Sequence, residues 1–213
     1  MSTQQIITIG RSKGSGGHYV GEQLAKRLGV PCYDSEILKE TALKSGFAER
    51  FIRENEEQKP SSLLYSIVMD ASKGVQPLQQ QLYLLQQQTI QELAGKGPCV
   101  FVGRCADYAL RDRRDVLNCF IHAPMASRIV RTCKRENVSP EEAKSIIQRT
   151  DKARSDYSRH FTGWTWGAAQ RYHLCLDTSV LSVPGTVDMI VDFLTAIEKN
   201  RSNDNETHSG SLH

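Results

Sequence analysis

The stretch that decides the fold is Gln5-Ile-Ile-Thr-Ile-Gly10-Arg-Ser-Lys-Gly-Ser-Gly-Gly17-His18. Its β-branched start predicts a strand that stops at Gly10, and the apolar positions of Val20–Leu28 predict an amphipathic helix before Gly29. Glycines between a strand and a helix let backbone N–H groups converge on an anion, and the helix adds its positive dipole end. The turn is either a tight connection or a phosphate-binding loop, and its glycines, Lys and Arg favour the second interpretation.

The end of this loop departs from the usual phosphate-loop pattern. That pattern ends in Gly-Lys-Ser/Thr, where the Lys reaches the β- and γ-phosphates and the hydroxyl binds Mg²⁺. Here Gly16 is followed by Gly17 and His18, so the cation would come from Lys13 or Arg11. Histidine at this position either contacts phosphate or is an exposed first-turn residue. The candidate donor-phosphate residues are Arg11, Lys13, Gly14, Ser15, Gly16, Gly17 and His18.

Short apolar runs alternate with helical segments along the rest of the chain. Further strands are predicted at Pro98–Val102, Val116–Ile121 and His173–Leu176. Ser139 with the following Pro-Glu-Glu predicts a capped helix start, and Pro184–Glu198 predicts another helix. This alternation predicts an α/β doubly wound domain with right-handed crossovers.

Residues 1–199 predict a single domain. Two segments do not follow the alternation of strands and helices, one inside this domain and one after it. Residues 35–95 contain helix formers and no convincing strand, so they predict a helical insert or a partner surface, and with it a homo-oligomer interface. The Gln-rich part of this insert carries apolar residues at helical spacing. Residues 200–213 are polar and predict a disordered tail.

Composition excludes several classes of protein. The chain has 213 residues, of which 39% are hydrophobic and 24% charged, so a disordered or fibrous protein is excluded. No stretch approaches eighteen uninterrupted apolar residues and the start lacks a signal-peptide pattern, so we expect no membrane span and a cytoplasmic location. The six cysteines form no Cys-x-x-Cys pair and predict reduced thiols, with Cys99, Cys119 and Cys175 in strands of the core.

The charge distribution points to a small anionic ligand. The net charge is only +3, but Arg104 to Arg159 holds 13 Lys/Arg against 8 Asp/Glu, a local excess of +5. No aromatic RNA-binding motif accompanies these basic residues, which argues against nucleic acid. A locally basic region on a nearly neutral protein therefore favours a small phosphate compound.

Four segments in this order resemble the cytidylate-kinase-like branch of the P-loop nucleoside monophosphate kinases. They are Ile7–Gly17, Pro31–Ser35, Val100–Tyr108 and Asp151–Ser179. The resemblance implies a P-loop kinase-like parallel sheet of about five strands flanked by helices, with a helical insert and a lid at about 150–170. It also implies transfer of the γ-phosphoryl group of ATP, with Mg²⁺, to a nucleoside monophosphate or another small acceptor.

The resemblance also implies roles for residues outside the loop. Asp34 and Ser35 match the Asp-Ser pair of the acceptor site, with Asp34 assisting the acceptor or, through water, the metal. Arg104 matches the arginine that holds the acceptor phosphate. Cys105 stands where the family has Asp, and Asp107 would compensate one turn later. No metal ligand is assigned.

The lid is the second functional segment that the resemblance implies. Its cations close over the phosphoryl group in transfer, and Lys152, Arg154 and Arg159 are the candidates. Because the loop lacks its Lys and its Ser/Thr, a nucleotide-binding regulatory module without efficient transfer stays open as the alternative.

Overall fold

The structure is a computed structural model that describes residues 5–34 and 78–209. The elements in chain order are β1 (Ile6–Arg11), α1 (Gly17–Leu28), β2 (Cys32–Tyr33), α2 (Leu78–Gly95), β3 (Val100–Val102), α3 (Ala106–Ala109), β4 (Val116–His122), α4 (Met125–Glu136), α5 (Pro140–Thr162), β5 (Leu174–Asp177) and α6 (Thr178–Ser209). A 3₁₀ turn at Ala169–Arg171 precedes β5.

All five strands are parallel, in the order β2-β3-β1-β4-β5. Parallel neighbours need crossover connections, which the intervening helices provide. The predicted α/β fold with a parallel sheet flanked by helices is therefore confirmed. β1 does not stop at Gly10, because Gly10 and Arg11 continue the pairing opposite Phe120 and Ile121 of β4.

The central strand β1 is covered on both faces. On one face Ile7 and Ile9 pack in a cluster with α1 and α6, to which Leu24 and Ile190 contribute. On the other face Ile6 packs in a cluster formed with α2, α3 and β3. A strand buried on both sides reads as a continuous apolar run, which is the pattern that marked β1 in the sequence.

The helix ends follow their local sequence signals. α1 ends at Leu28, and Gly29 adopts the left-handed conformation (φ 68°) of a glycine C-cap. At the start of α5 the Ser139 hydroxyl accepts a hydrogen bond from Glu142 N at 3.2 Å, as the capping pattern predicts. α5 then runs for 23 residues, so the first half of the predicted lid segment is a continuation of this helix.

The helix α2 is the described end of the predicted insert, since residues 35–77 lie outside the described residues. Its side chains Ile90 and Leu93 are buried against α3 and the sheet, and Tyr83 and Leu85 are also buried. The apolar stripe of this segment is thus used inside the chain, while its role in an oligomer stays a prediction.

The last helix is longer than predicted. It continues to Ser209, past the predicted helix end at Glu198, and residues 210–213 lie outside the described residues. The reason is that no Gly or Pro interrupts the sequence between Thr186 and Ser209. The only interruption of α6 comes at Ser182 (φ 60°), two residues before Pro184, whose ring cannot continue a helix undisturbed.

The first part of α6, Thr178–Asn200, is long and apolar enough to cross a membrane, with a mean hydropathy of 1.6 in its most apolar window. The search of the sequence for eighteen uninterrupted apolar residues did not identify this helix, because Asp188 and Asp192 interrupt its apolar stretch. Val187, Ile190 and Leu194 of this helix are at most 3% exposed in the core beside α1. In this fold the helix therefore covers one face of the sheet.

The edge position of β5 corrects one cysteine prediction. Cys99 and Cys119 are buried core thiols, but Cys175 is exposed. β5 pairs only with β4 and has no neighbour on its other side. An edge strand has less cover than the central strands, which periodicity alone does not reveal.

The close packing of α1 on the sheet gives a first testable prediction. A Cβ at Gly21 would lie 2.5 Å from Val102 Cγ2, whereas a Cβ at Gly95, at the end of α2, would meet nothing within 4 Å. We expect G21A to lower the free energy of unfolding by about 1–3 kcal/mol through overpacking, despite the better helix propensity of Ala. G95A is the control, with an expected change of about 0.5 kcal/mol or less. Urea unfolding measures both, and equal values would contradict the packing described.

Candidate functional site

The loop between β1 and α1 has the backbone of an anion site. Gly14 (φ 78°) and Gly16 (φ 85°) both adopt left-handed conformations. A Cβ at Gly14 would lie 2.8 Å from Thr132 Oγ1, so only glycine allows the loop to approach α4 this closely. α1 then begins at Gly17 with no side-chain cap and no acidic residue in its first turn. The positive end of the helix dipole is therefore open to an anion.

A cavity of about 170 Å³ lies over this loop, and we call it the loop cavity. Four cationic side chains line it, from Arg11, Lys13, Arg135 and Arg154. Within the described part of the chain, no Asp or Glu lines it. Such an unbalanced set of cations in a concave site attracts anions and suits a polyphosphate.

Ser15 does not face the loop cavity. Its side chain is fully buried, and its hydroxyl donates to Ser12 O at 2.8 Å. Gly17 N donates back to the same hydroxyl at 3.3 Å. The hydroxyl is thus used to hold the turn, and its contact with the donor stays a prediction.

Lys13 and His18 are both paired with carboxylates. Lys13 Nζ lies 2.6 Å from Glu136 Oε1. The backbone N–H of Lys13 donates to Asp151 Oδ1 at 2.7 Å. His18 Nε2 lies 3.3 Å from Glu22 Oε1 one turn along α1, and its side chain is 43% exposed. Of the two candidate cations at the front of the loop, Arg11 is therefore the one whose charge is not matched by an adjacent carboxylate contact.

A second cavity of about 370 Å³ lies at the carboxyl ends of β1 and β3, and we call it the strand-end cavity. Arg104 and Asp107 line it, as the resemblance predicts for an acceptor site. The aromatic rings of Tyr157, Trp166 and Tyr172 form much of the remaining wall. A cation beside aromatic faces is suited to a ligand that carries both a phosphate and a planar ring.

The two cavities meet at two arginines. Arg11 and Arg154 line both of them. Arg154 Nη1 donates to Arg11 O at 2.8 Å, which holds α5 against the end of β1. Burial, followed by the charges of Arg154 and Arg104, lowers the pKa of Arg11 to about 9. The arginines from the loop, from α5 and from the segment after β3 thus share one positive region.

The carboxyl group of Asp107 is buried in the strand-end cavity. Its burial raises its pKa, and backbone hydrogen bonds and Arg171 only partly oppose this. Tyr172 lies close enough that the charge of Asp107 contributes to raising the pKa of its phenol. A buried carboxyl group with little compensation is available to a ligand.

The turn after β3 is strained. Gly103 (φ 81°), Arg104 (φ 59°) and Cys105 (φ 54°) are three successive left-handed residues. Only glycine adopts this conformation without cost, and the other two carry about 1–2 kcal/mol each. Burial raises the pKa of the Cys105 thiol to about 12, so the thiol is protonated at neutral pH and is a poor nucleophile. The strain serves to place Arg104 over the cavity.

The helix α5 divides the predicted lid cations between its two faces. Thr150, Arg154 and Tyr157 line the strand-end cavity, at the spacing of one helical face. Lys152 instead lies 2.6 Å from Asp156 on the exposed side, and Arg159 is exposed on that same side. The structure places Arg154 at the strand-end cavity and Lys152 and Arg159 outside it, because 3.6 residues per turn carries these two roughly 140–160° around the helix from Arg154.

Asp34 follows β2. Its charge opposes the lowering of the Arg11 pKa, which shows that it lies near Arg11. Ser35 lies outside the described residues. Among residues 5–34 and 78–209, no cluster of three or more His, Cys, Asp or Glu side chains could hold a metal ion. Mg²⁺ that arrives with a nucleotide keeps phosphate and water ligands and needs only one or two carboxylates. Asp34 fits that limited requirement.

Three residues that hold the loop were not predicted from sequence. Asp151 accepts from Lys13 N and also from Arg128 Nη1. Arg131 Nη1 donates to Ser15 O at 3.0 Å and to Thr178 Oγ1 at 2.6 Å, which joins the loop to the end of β5. The sequence analysis did not assign these basic residues to the site because a basic helix is usually a solvated face.

The double contact of Asp151 gives a second prediction. We expect D151N to lower the free energy of unfolding by about 1–3 kcal/mol, because Arg128 would lose a charged partner in a half-buried site. D156N on the exposed face of the same helix breaks only the Lys152 pair and should change it by less than about 0.5 kcal/mol. Urea unfolding of the two variants decides between a structural and a surface role.

The buried carboxyl group of Asp107 gives a third prediction, on pH dependence. A carboxyl group with a raised folded-state pKa destabilises the fold once it ionises, so the cost appears as pH rises above its unfolded value near 4. We expect D107N to be more stable than the parent at pH 7 and to lose this advantage below about pH 4. D112N, whose carboxylate is 86% exposed, is the control and should show neither effect. A D107N variant that is less stable at pH 7 would contradict the burial cost.

Comparisons with known proteins agree with this geometry. The model of the cytidylate kinase-like family matches residues 6–180. A cytidylate kinase from Methanopyrus kandleri is 26% identical over 198 residues, covering 89% of this chain and 92% of its own length.

Two solved structures extend the comparison to the fold. An uncharacterised protein from Eubacterium ventriosum superposes with a TM-score of 0.71 at 26% identity, over 90% of this chain and 99% of the other. A gluconokinase from Sinorhizobium meliloti has a TM-score of 0.54 at 14% identity, over 96% and 99% of the two chains, which shows a shared kinase fold. With its glycine-rich loop between β1 and α1, its parallel sheet and the family match over residues 6–180, this chain belongs to the cytidylate kinase-like family.

Proposed function

We propose that this protein transfers the γ-phosphoryl group of ATP to the phosphate of a nucleoside monophosphate or a similar small acceptor. The observation that carries the proposal is that Arg11 and Arg154 line both the loop cavity and the strand-end cavity. A phosphoryl group that moves between ligands in these two cavities would pass between the two guanidinium groups.

The loop cavity is the donor site in this proposal. The guanidinium groups of Arg11 and Arg154 and the open N-terminus of α1 would hold the β- and γ-phosphates of ATP. Mg²⁺ would neutralise charge on the donor phosphates when bound, with Asp34 as the nearby carboxylate. Gly14 and Gly16 keep the loop backbone close to the phosphates.

The strand-end cavity is the acceptor site. Arg104 would bind the acceptor phosphate through two parallel N–H contacts, which a planar guanidinium allows. Tyr157, Trp166 and Tyr172 would pack against the base and sugar, and Asp107 would hydrogen-bond a polar edge of the acceptor. The Cys105 position lacks the family's carboxylate, so the choice of base depends on Asp107 instead.

The chemistry follows from these positions. An oxygen of the acceptor phosphate forms a bond to the γ-phosphorus as the bond to the bridging oxygen breaks, and ADP leaves. Arg154 and Arg11 would neutralise the charge that develops on the transferred group. Because ATP and nucleoside monophosphates are cytoplasmic compounds, a cytoplasmic location is part of the proposal.

A regulatory nucleotide-binding module is the second candidate function. It is favoured by two positions at the end of the loop, where Gly17 replaces the Lys and His18 replaces the metal-binding hydroxyl. His18 is also paired with Glu22. Such a protein would bind ATP without efficient transfer, and an activity measurement separates the two functions.

The test is a transfer assay with ATP, Mg²⁺ and a panel of nucleoside monophosphates, with the diphosphate product separated by chromatography. We expect R154M to lower the rate by about 10²–10³-fold, since it removes a cation from the transferred group. R159M, on the exposed face of the same helix, is the matched control and should stay within about twofold of the parent.

Two outcomes would contradict parts of this proposal. Absence of diphosphate with every acceptor, together with ATP binding, would support the regulatory module and overturn transfer. A loss of rate in R159M as large as that in R154M would contradict the division of α5 into a site face and a solvent face.

A further inference from the structure

We infer that Arg11 takes the place of the missing phosphate-loop lysine, and that it contacts the terminal phosphate of the donor along a path opened by glycines at positions 17 and 103. This inference rests on the proposed function and names a further catalytic residue for it. Three independent features of the structure lead to it.

The first feature is the space at position 17, where the usual pattern has lysine. A Cβ at Gly17 would overlap Arg11 Cβ and lie 3.0 Å from Ile121 Cβ. Gly17 has no positive φ, so its backbone conformation does not require glycine. What requires glycine here is the stem of Arg11, which fills the volume where a lysine side chain would begin. The long cationic side chain therefore stands at position 11 and glycine at position 17, which is the reverse of the usual pattern.

The second feature is the space at position 103. A Cβ at Gly103 would lie 2.7 Å from Arg11 Cζ and in still closer overlap with Nη1. The guanidinium group of Arg11 therefore lies directly against the backbone of the turn after β3. The Arg11 side chain thus extends from the front of the loop to the junction of the loop cavity and the strand-end cavity.

The third feature is an unused hydrogen-bond donor on the guanidinium group of Arg11. Arg11 Nε is buried with no hydrogen-bond partner in the structure. Among the neighbouring charges, the repulsion from Arg154 and Arg104 outweighs the attraction of Asp34 and Asp151. A buried guanidinium with an unused donor beside two further arginines requires an anion, and a phosphate accepts several N–H groups at once.

The competing cation is already occupied. Lys13 Nζ lies 2.6 Å from Glu136, and its backbone N–H is bound by Asp151. For Lys13 to bind the donor it would have to leave an ion pair whose two side chains are 19% and 29% exposed. Arg11 faces no such loss.

The test compares three variants that each remove one cation. R11M keeps the stem that packs over Gly17 and removes the charge, K13M removes the competing cation, and R27M removes a cation of α1 that lies outside both cavities. ATP affinity is measured by calorimetry and transfer by the chromatographic assay, with adenosine as a ligand that lacks phosphates. We expect R11M to weaken ATP binding by about tenfold or more and to leave adenosine binding unchanged. K13M and R27M should stay within about threefold of the parent.

The outcomes separate this inference from the proposed function. If the parent transfers phosphate and R11M matches it in both transfer rate and ATP affinity, the inference is overturned and the proposed function stands. ATP binding that depends on Arg11 without any transfer supports the inference and overturns the function. If the parent protein binds no ATP, both are overturned. If ATP affinity falls in K13M and not in R11M, the contact belongs to Lys13 and the inference is overturned.

A second pair of variants tests the exchange itself and guards against misfolding of R11M. R11G clears the space over position 17, and R11G/G17K restores the usual arrangement of the pattern. We expect R11G/G17K to bind ATP about tenfold more tightly than R11G, while G17K alone is destabilised because both stems compete for one volume. If R11G/G17K binds ATP no better than R11G, the exchange is overturned.

Discussion

The carboxylate of Asp151 is the contact on which the geometry of both cavities depends. One oxygen binds the backbone N–H of Lys13, the other binds Arg128, and Arg154 Nη1 lies 3.9 Å away. Since the loop, α4 and α5 each contribute one partner, a single side chain fixes three elements relative to one another. It also balances guanidinium groups that would otherwise repel at close range. The positive charge that remains is concentrated where Arg11, Arg104 and Arg154 meet.

Much of the fold could be predicted from the sequence because its signals are local. The β-branched run before Gly10 and the glycines after it identify a strand, a turn and a helix within about twenty residues. The Ser139 cap and the Gly29 stop are equally local, and both are present in the structure. The Arg104 and Asp107 positions came from the resemblance, and they do line one cavity. The order of the strands and the contacts between distant segments are long-range properties, which periodicity does not give, and the resemblance implied only a parallel sheet of about five strands.

The direction of side chains was the part that could not be predicted. Lys152 and Arg154 are two residues apart on one helix and so point to different sides, and the sequence does not say which side faces the site. The spacing of Thr150, Arg154 and Tyr157 with Asp151 was the available signal, because it gives one helical face with both a carboxylate and an arginine. The inward direction of the Ser15 hydroxyl could not be predicted for a similar reason, since a glycine-rich loop can turn a serine to either side.

The charges also explain why an arginine, rather than a lysine, suits position 11. Burial and two neighbouring arginines lower the pKa of Arg11 from 12.5 to about 9, which still leaves it cationic at neutral pH. A lysine has a lower ordinary pKa, about 10.4, so the same surroundings would bring its pKa closer to neutrality. Here, where Arg104 and Arg154 reach the same point, a side chain that keeps its proton maintains the attraction for a phosphate. The absence of lysine from position 17 is then consistent with the arginines around the loop, and does not by itself indicate lost chemistry.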